Sequence, residues 1–368
     1  MTRGVDVSIS PFSMSLKILI VRLSAIGDVV HVLPSLHALR RAFPGARIDW
    51  LVEELSSPLL EGHPEIDHLY VFQKKWRRRF LSHFFPDIRP FFKTIRHVGY
   101  DWAVDFQGLT KSGLAARFSG ARKVAGFGDK DGRELNKLFT SVKIRPGSSL
   151  HIVERNLALL QALGVHQPEI RFPFPDFQTE KKNLQTMFRE LLSGKPIPDY
   201  AAVNPGAGWP TKRLPLPTLA ELCANLYKDK NLEIVITWGP GEEKLARKLQ
   251  KIIEEKHGTA RIAPPTNLRQ LAALISGAGL FIGGDTGPTH IAAAMGVPTL
   301  SFFGASDARR NRPYGSHCIT IQNEDIPCVP CWKTSCPLQG KLYLQCLTSI
   351  TPGRLERAAE KLLQGTGR

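Results

Sequence analysis

Apolar positions first cluster at Lys17-Ile18-Leu19-Ile20-Val21-Arg22, a run whose length and unbroken apolarity predict a strand buried on both faces. A glycine-containing turn follows at Gly27. From Asp28 to Ala42 the spacing of Val29, Val30, Leu33, Leu36 and Leu39 predicts one amphipathic helix. Strand-like runs recur at 48–52, 69–72, 102–106 and 123–125, with helical patterns between several of them. That rhythm predicts a parallel sheet covered by helices. The stretch 165–180 is proline-rich and aperiodic, and marks a domain boundary. A second αβ series follows, with strands at 201–204, 232–237, 279–282 and 299–303 and helices at 216–227, 241–255, 267–276 and 287–295. The last pattern, 352–363, is helical.

The expected fold class is therefore α/β, two doubly wound domains facing a central cleft. We divide the chain into 1–172, 173–351 and a terminal helix 352–368, with 1–13 set aside as an extended start. In such sheets ligands lie outside the carboxyl ends of the strands. The 368 residues are enough for two cores, and 42% hydrophobic with 22% charged residues is an ordinary globular balance. No apolar run approaches the roughly 18–20 residues that span a bilayer, which excludes an integral helical membrane protein. The first fifteen residues hold no apolar signal core, so a cytoplasmic protein is expected. Six cysteines in a chain this long do not make a disulfide scaffold.

Charge changes the picture more. Forty-nine Lys and Arg against thirty-three Asp and Glu give +16, a field that attracts anionic partners. The densest run is Lys74-Lys75-Trp76-Arg77-Arg78-Arg79, with Phe80, Phe84 and Phe85 after it. It suits a phosphorylated or carboxylated ligand or an anionic surface; no nucleic-acid module accompanies it, so no nucleic-acid partner is expected.

Three strand-to-glycine turns carry candidate chemistry. In Gly283-Gly284-Asp285-Thr286-Gly287-Pro288-Thr289-His290 an apolar strand runs into a helix start, where free amides and the helix dipole suit a phosphate. Asp285 or Thr286 is placed to cap that helix, and Gly287 admits close approach. In Asn204-Pro205-Gly206-Ala207-Gly208-Trp209-Pro210-Thr211-Lys212-Arg213, Lys212 or Arg213 is within reach of a phosphate, although this is no Walker A sequence. Trp238-Gly239-Pro240-Gly241 ends a third strand, after which Glu242 or Glu243 would meet ribose hydroxyls or simply favour a helix N-terminus. In the first half, Asp28 at Ser24-Ala25-Ile26-Gly27-Asp28 is either a helix-start residue or a general base facing the cleft, with His31 one turn along. Cys328, Cys331, Cys336 and Cys346 are candidate metal ligands, at a spacing that matches no standard zinc ribbon. Asp129-Lys130-Asp131 is a D-x-D triplet inside a glycine-flanked turn.

KILIVRLSAIGDVVHVLPSLHAL (17–39), DFQGLTKS (105–112), the Lys212 loop and GDTGPTHIAAAMGVPTLSFFG (284–304) occur in one order over nearly the whole chain. Together they resemble the bacterial ADP-heptose:lipopolysaccharide heptosyltransferases, glycosyltransferase family 9. The basic run ahead of DFQGLTKS is most similar to the branch that adds the first heptose. The resemblance implies a GT-B fold of two Rossmann-like domains. It also implies an inverting, metal-independent transferase that uses ADP-L-glycero-D-manno-heptose as donor substrate and needs no cofactor. On matching positions it implies Asp28 as general base and Lys212 at the departing diphosphate. Gly206, Ala207, Glu242, Glu243, Thr266, Asp285, Thr286, Gly287 and His290 fall on the donor side. Lys74, Arg77, Arg78, Gln107 and Lys111 fall on the acceptor side, toward Kdo-lipid A at the cytoplasmic face of the inner membrane. Pro288-Thr289 and the loop PGAGWPTKRLP depart from the first-heptose pattern. A later inner-core heptose acceptor, or another nucleotide-sugar donor, is therefore the alternative.

Overall fold

The computed structural model describes residues 16–78, 84–128, 130–147, 150–191 and 199–365. The first sheet is built from β1 (Lys17–Val21), β2 (Arg47–Glu53), β3 (His68–Phe72), β4 (Trp102–Asp105), β5 (Lys123–Phe127) and β6 (Val142–Ile144). The second contains β7 (Tyr200–Asn204), β8 (Glu233–Ile236), β9 (Ala260–Ile262), β10 (Leu280–Gly284), β11 (Thr299–Phe303) and β12 (Cys318–Gln322). Every pairing is parallel. The orders are β3-β2-β1-β4-β5-β6 and β12-β11-β10-β7-β8-β9. Read from the other edge, the second repeats the first, and both are the strand order of dinucleotide-binding domains. In each sheet the order reverses between the first and fourth strands. Crevices therefore open at the ends of β1 and β4, and of β7 and β10.

The central strands are apolar on both faces because helices cover both. Outside the first sheet, Leu19, Val21 and Tyr100 pack with Phe92 and Ile95 of the helix Arg89–His97. Outside the second, Val203, Ile234 and Leu300 pack with the helix Leu216–Lys230 and with Leu355, Ala359 and Leu362 of the terminal helix Pro352–Gln364. Between the sheets one apolar cluster is continuous, from Ile20, Trp50 and Phe106 through Val153 to Phe281 and Ile291. The two halves thus share buried surface.

The amphipathic stretch 28–42 is not one helix. It divides into Ile26–Val30 and Leu33–Ala42, with His31 and Val32 between them. Pro34 explains the break, since in a continuous helix its ring would strike the carbonyl of Val30. The division leaves a short helix whose N-terminus points at the second domain.

Candidate active site

The site is built from the four strand ends at the two reversals. At the end of β1, Arg22 is buried and one Nη donates to the carbonyl of Phe106, just past β4. Its other Nη lies 2.7 Å from Asp28 Oδ2, which also accepts from the Ala25 amide at 3.1 Å. Both contacts fall on one oxygen of a side chain that remains 41% exposed, so Oδ1 is left for a ligand. Asp28 therefore closes the helix start, as one sequence reading has it, and remains partly exposed at the end of β1.

At the end of β4, Asp105 is fully buried. It accepts from the amides of Gln107 (2.9 Å) and Gly108 (3.2 Å) on one oxygen, and from Ser112 Oγ (2.9 Å) and Asn136 Nδ2 (2.6 Å) on the other. Burial raises its carboxyl above the usual range in spite of these four donors. Gln107, expected at the acceptor, is buried, and its Oε1 takes the amide of Leu23 at 2.9 Å. It ties the β4 loop to the β1 loop. Lys111 reaches the same loop, 3.3 Å from Ser24 Oγ and 2.8 Å from Glu53 Oε1, with its side chain partly exposed.

In the second half, Lys212 Nζ lies 2.6 Å from Asp285 Oδ2 and 4.6 Å from the centre of the Trp209 ring. His290 Nε2 lies 3.2 Å from Asp285 Oδ1. Burial alone would raise the Asp285 carboxyl, but the hydrogen bond from His290 and the Lys212 ammonium outweigh it and hold the group well below its ordinary range. Thr286 occupies the N-cap of the helix Gly287–Ala294, yet its side chain makes no capping bond. Instead it meets Thr289 Oγ1 at 3.2 Å, so it does not occupy the first-turn amides. The Glu242 carboxylate accepts the Gly239 amide at 3.0 Å and lies 2.1 Å from where a Cβ on Gly206 would stand. Glu243, its expected alternative, pairs with Arg247 at 2.6 Å on an exposed helix face. Of the two, Glu242 is at the Gly206–Ala207 loop. Thr266 is half-buried in the loop after β9.

The halves meet glycine to glycine. A Cβ on Gly27 would stand 2.6 Å from the His290 ring, and one on Gly287 would stand 2.8 Å from Ile26. Only hydrogen fits there, and the absence of both side chains brings the Asp28 and Asp285 turns together. His31 Nε2 and His290 Nδ1 are 3.1 Å apart across this contact. Arg310, in the short helix Ala308–Asn311, lies 3.4 Å from Asp131 of the other half, which Arg155 also holds in a buried ion pair. Asp131 is therefore committed to two arginines, while Asp129 of the same triplet lies outside the described residues. Sequence reasoning missed Arg310; it stands in no motif, and only the fold carries it to the cleft.

The basic run forms the short helix Lys74–Arg78, with Lys74 and Lys75 exposed. Trp76 is buried against Phe72 and Phe91, each ring centre 5.1 Å away, so it anchors the helix instead of offering an aromatic surface. The side chains of Arg77, Arg78, Phe84 and Phe85, and all of Arg79 and Phe80, lie outside the described residues. Among the described residues no group of three or more His, Cys, Asp or Glu is arranged to hold a metal ion, and Cys328, Cys331, Cys336 and Cys346 are free thiols. Cys328 is exposed while Cys346 is buried, and burial, with the other three thiols nearby, pushes Cys346 up to about 11. This segment also braces the Lys212 turn: Thr211 Oγ1 donates to the Lys333 carbonyl at 2.7 Å, and the Trp332 amide donates to the Ala305 carbonyl at 2.8 Å.

The sequence profile of "Glycosyltransferase family 9 (heptosyltransferase)" matches residues 88–342. Lipopolysaccharide heptosyltransferase 1 of Pseudomonas aeruginosa is 30% identical over 364 residues, 95% of this chain and 98% of that protein. Among solved structures, E. coli heptosyltransferase WaaC with ADP aligns at a TM-score of 0.72 and 24% identity over 94% of this chain and 100% of that one. E. coli ADP-heptose lps heptosyltransferase II aligns at 0.74 and 21% identity, over 96% and 100%. At those identities the two structures speak for the fold.

Proposed function

Because the chain belongs to glycosyltransferase family 9, the heptosyltransferases, we propose that this glycosyltransferase moves L-glycero-D-manno-heptose from ADP-heptose to a Kdo of the lipopolysaccharide inner core. Its two facing Rossmann-like domains have the GT-B arrangement. The observation that carries the reading is Asp28, with one oxygen braced by Arg22 and Ala25 and the other open, placed across the Gly27–Gly287 contact from the Asp285–Lys212 pair. A base and a cationic phosphate partner thus face each other at the two strand reversals.

In the reaction the Asp28 carboxylate takes the proton of the acceptor hydroxyl as that oxygen attacks the anomeric carbon. The bond from that carbon to the diphosphate oxygen breaks, and its electron pair leaves on ADP. Attack from the face opposite the leaving group inverts the centre. The Lys212 ammonium neutralises the charge that develops on the diphosphate, and the amides at the Gly287 helix start receive its oxygens. That ammonium supplies the positive charge a divalent ion would otherwise bring, so the step is proposed to run without metal. Glu242, beside Gly206, accepts from the ribose hydroxyls.

On the acceptor side, Lys111 and Arg310 give the cleft near Asp28 a cationic wall for carboxylates or phosphates. The +16 charge and the exposed Lys74 and Lys75 fit peripheral attachment to an anionic inner leaflet, where a lipid-linked acceptor would lie. No helix of the described residues is long and apolar enough to cross a membrane.

The test is ADP release from ADP-heptose and Kdo2-lipid A in EDTA, comparing the unmodified enzyme with Asp28→Ala. Turnover in EDTA that collapses in the variant supports donor, acceptor and base together. Turnover only with a heptosylated core moves the acceptor to a later position. No turnover and no ADP-heptose binding overturns the donor.

A further inference from the structure

Among the described residues each oxygen of Asp285 has a partner, and one of those partners, His290, reaches the first domain. Lys212 takes Oδ2 and His290 Nε2 takes Oδ1. A carboxylate held ionised accepts and cannot donate, so the proton of that second bond sits on His290 Nε2. In a neutral imidazole the other nitrogen, Nδ1, is then an acceptor. The group facing it at 3.1 Å is His31 Nε2. His31 is 4% exposed and its Nδ1 has no partner among the described residues, so its single proton is best used on Nε2, donating to His290.

The surroundings of His31 keep it from taking a second proton. His290 faces it from the Gly287 helix, and His151 approaches edge-on at 6.0 Å from the start of the helix Ile152–Ala158. Arg22 from the end of β1 and Arg310 from the second domain add positive charge. Asn156 donates to the His31 carbonyl at 3.1 Å, fixing its backbone without touching the ring nitrogens. No carboxylate is among these neighbours. Burial first, and then these groups, keep the ring neutral.

We propose that His31 is a positioning residue of the donor site, whose Nε2–H sets the tautomer of His290 and, through His290 Nε2–H, the aim of Asp285 at Lys212. The inference rests on the donor-site reading of Asp285 and Lys212. It adds a cross-domain requirement: the donor carboxylate is correctly held only while the helix carrying His31 lies against the Gly287 helix. Gly27 belongs to the same device, since it admits the His290 ring at its observed depth.

The experiment compares the full-length unmodified enzyme with His31→Leu and His31→Gln. The glutamine amide retains a donor toward His290 Nδ1, whereas leucine retains none. Histidine-selective 15N NMR at neutral pH reads the tautomer directly, and ADP titration and ADP-release kinetics read the site. The expected result is a single Nε2–H form of His290 in the unmodified enzyme and in His31→Gln, and a mixed or Nδ1–H form in His31→Leu. His31→Leu should lose roughly tenfold in kcat, about the worth of one buried hydrogen bond, and His31→Gln should recover most of it. If the His290 tautomer is the same in His31→Leu, the proposal is overturned. If the tautomer changes as stated while no form of the enzyme binds ADP, the relay stands and the donor reading fails. A glutamine variant as impaired as leucine despite a native tautomer would also overturn it, since shape alone would then explain the loss.

Discussion

Lys212 Nζ and Asp285 Oδ2 sit 2.6 Å apart with side chains only 16% and 7% exposed, at the point where β10 hands over to the Gly287 helix. The pair satisfies a buried carboxylate and keeps an ammonium at the turn that precedes the Gly287 helix. On the proposed reading, a diphosphate arriving there meets a cation already desolvated and aimed, so little reorganisation is left for the reaction. Lys212→Met should lower kcat by about 100-fold or more, the scale seen when one preorganised charge stabiliser is removed. Lys212→Arg should recover only part of this, because a planar guanidinium does not occupy the place of a compact ammonium. Steady-state ADP release decides; a Lys212→Met enzyme within threefold of the unmodified one would remove Lys212 from the reaction.

Acid should loosen the contact between the halves before it reaches Asp285. His151 Nδ1 accepts the Val153 amide at 3.2 Å, so its proton is on Nε2, which donates to the Arg312 carbonyl of the second domain at 2.7 Å. Burial lowers its pKa to about 4 against an ordinary 6.5, with the Arg312 carbonyl opposing the shift. Between those values the unfolded chain binds a proton that the fold does not, so stability is full above about 6.5, falls as pH drops, and levels off below about 4. The loss from this residue is on the order of 3 kcal/mol. His31, also held below its ordinary value, acts in the same direction. Asp285, depressed still further, keeps its contribution throughout this window. Thermal melts from pH 8 to 4.5 should show Tm falling below 6.5, with a shallower slope for His151→Gln. A flat profile would mean that His151 can be protonated within the fold.

The Asp285 turn and the central strands were legible because each is written in one stretch of chain. β1, β7, β10 and β11 are almost wholly buried and mostly apolar, since helices cover both their faces. The edge strands β6, β9 and β12 were not read: the first two are three residues with a charged centre, and β12 is mostly half-buried, so each shows less apolar pattern than a central strand. Asp285 and Lys212 stand in glycine turns that announce themselves. Arg310 stands in none, and Asp105 reads simply as the end of a strand until its four donors are seen to come from residues as distant as Asn136. His31 was seen, but a packed and a functional histidine look alike until the facing residue, 259 positions away, is known.

The glycine contact gives a sharp substitution. A methyl on Gly27 has the His290 ring 2.6 Å away, closer than real side-chain contacts allow. Either the ring swings off Asp285 or the two helices part. Overpacking of this size costs about 1–3 kcal/mol. Gly27→Ala should therefore lower Tm by a few degrees and reduce kcat by more than that stability loss explains, because His290 is displaced from its carboxylate. Melts and ADP-release kinetics on the same preparation separate the two effects. Full activity at reduced Tm would show that His290 has room to shift without moving Asp285.

Attachment to an anionic membrane, if it uses the Lys74–Arg78 helix, should be electrostatic and not insertional. Lys74 and Lys75 are exposed, while Trp76, the aromatic residue one would expect to enter lipid, is packed between Phe72 and Phe91. A lysine near an anionic leaflet contributes about 1 kcal/mol, so Lys74→Gln with Lys75→Gln should weaken binding to phosphatidylglycerol vesicles by about 30-fold. Raising salt should weaken the unmodified protein in the same way, as the Debye length shrinks to a few ångströms. Trp76→Ala should instead lower Tm, because it empties a buried aromatic cluster, and leave the salt dependence of binding unchanged. Co-sedimentation at graded anionic lipid content and ionic strength distinguishes these outcomes. Binding that ignores both lipid charge and salt would place the attachment, and with it the lipid-facing side of the cleft, somewhere other than this helix.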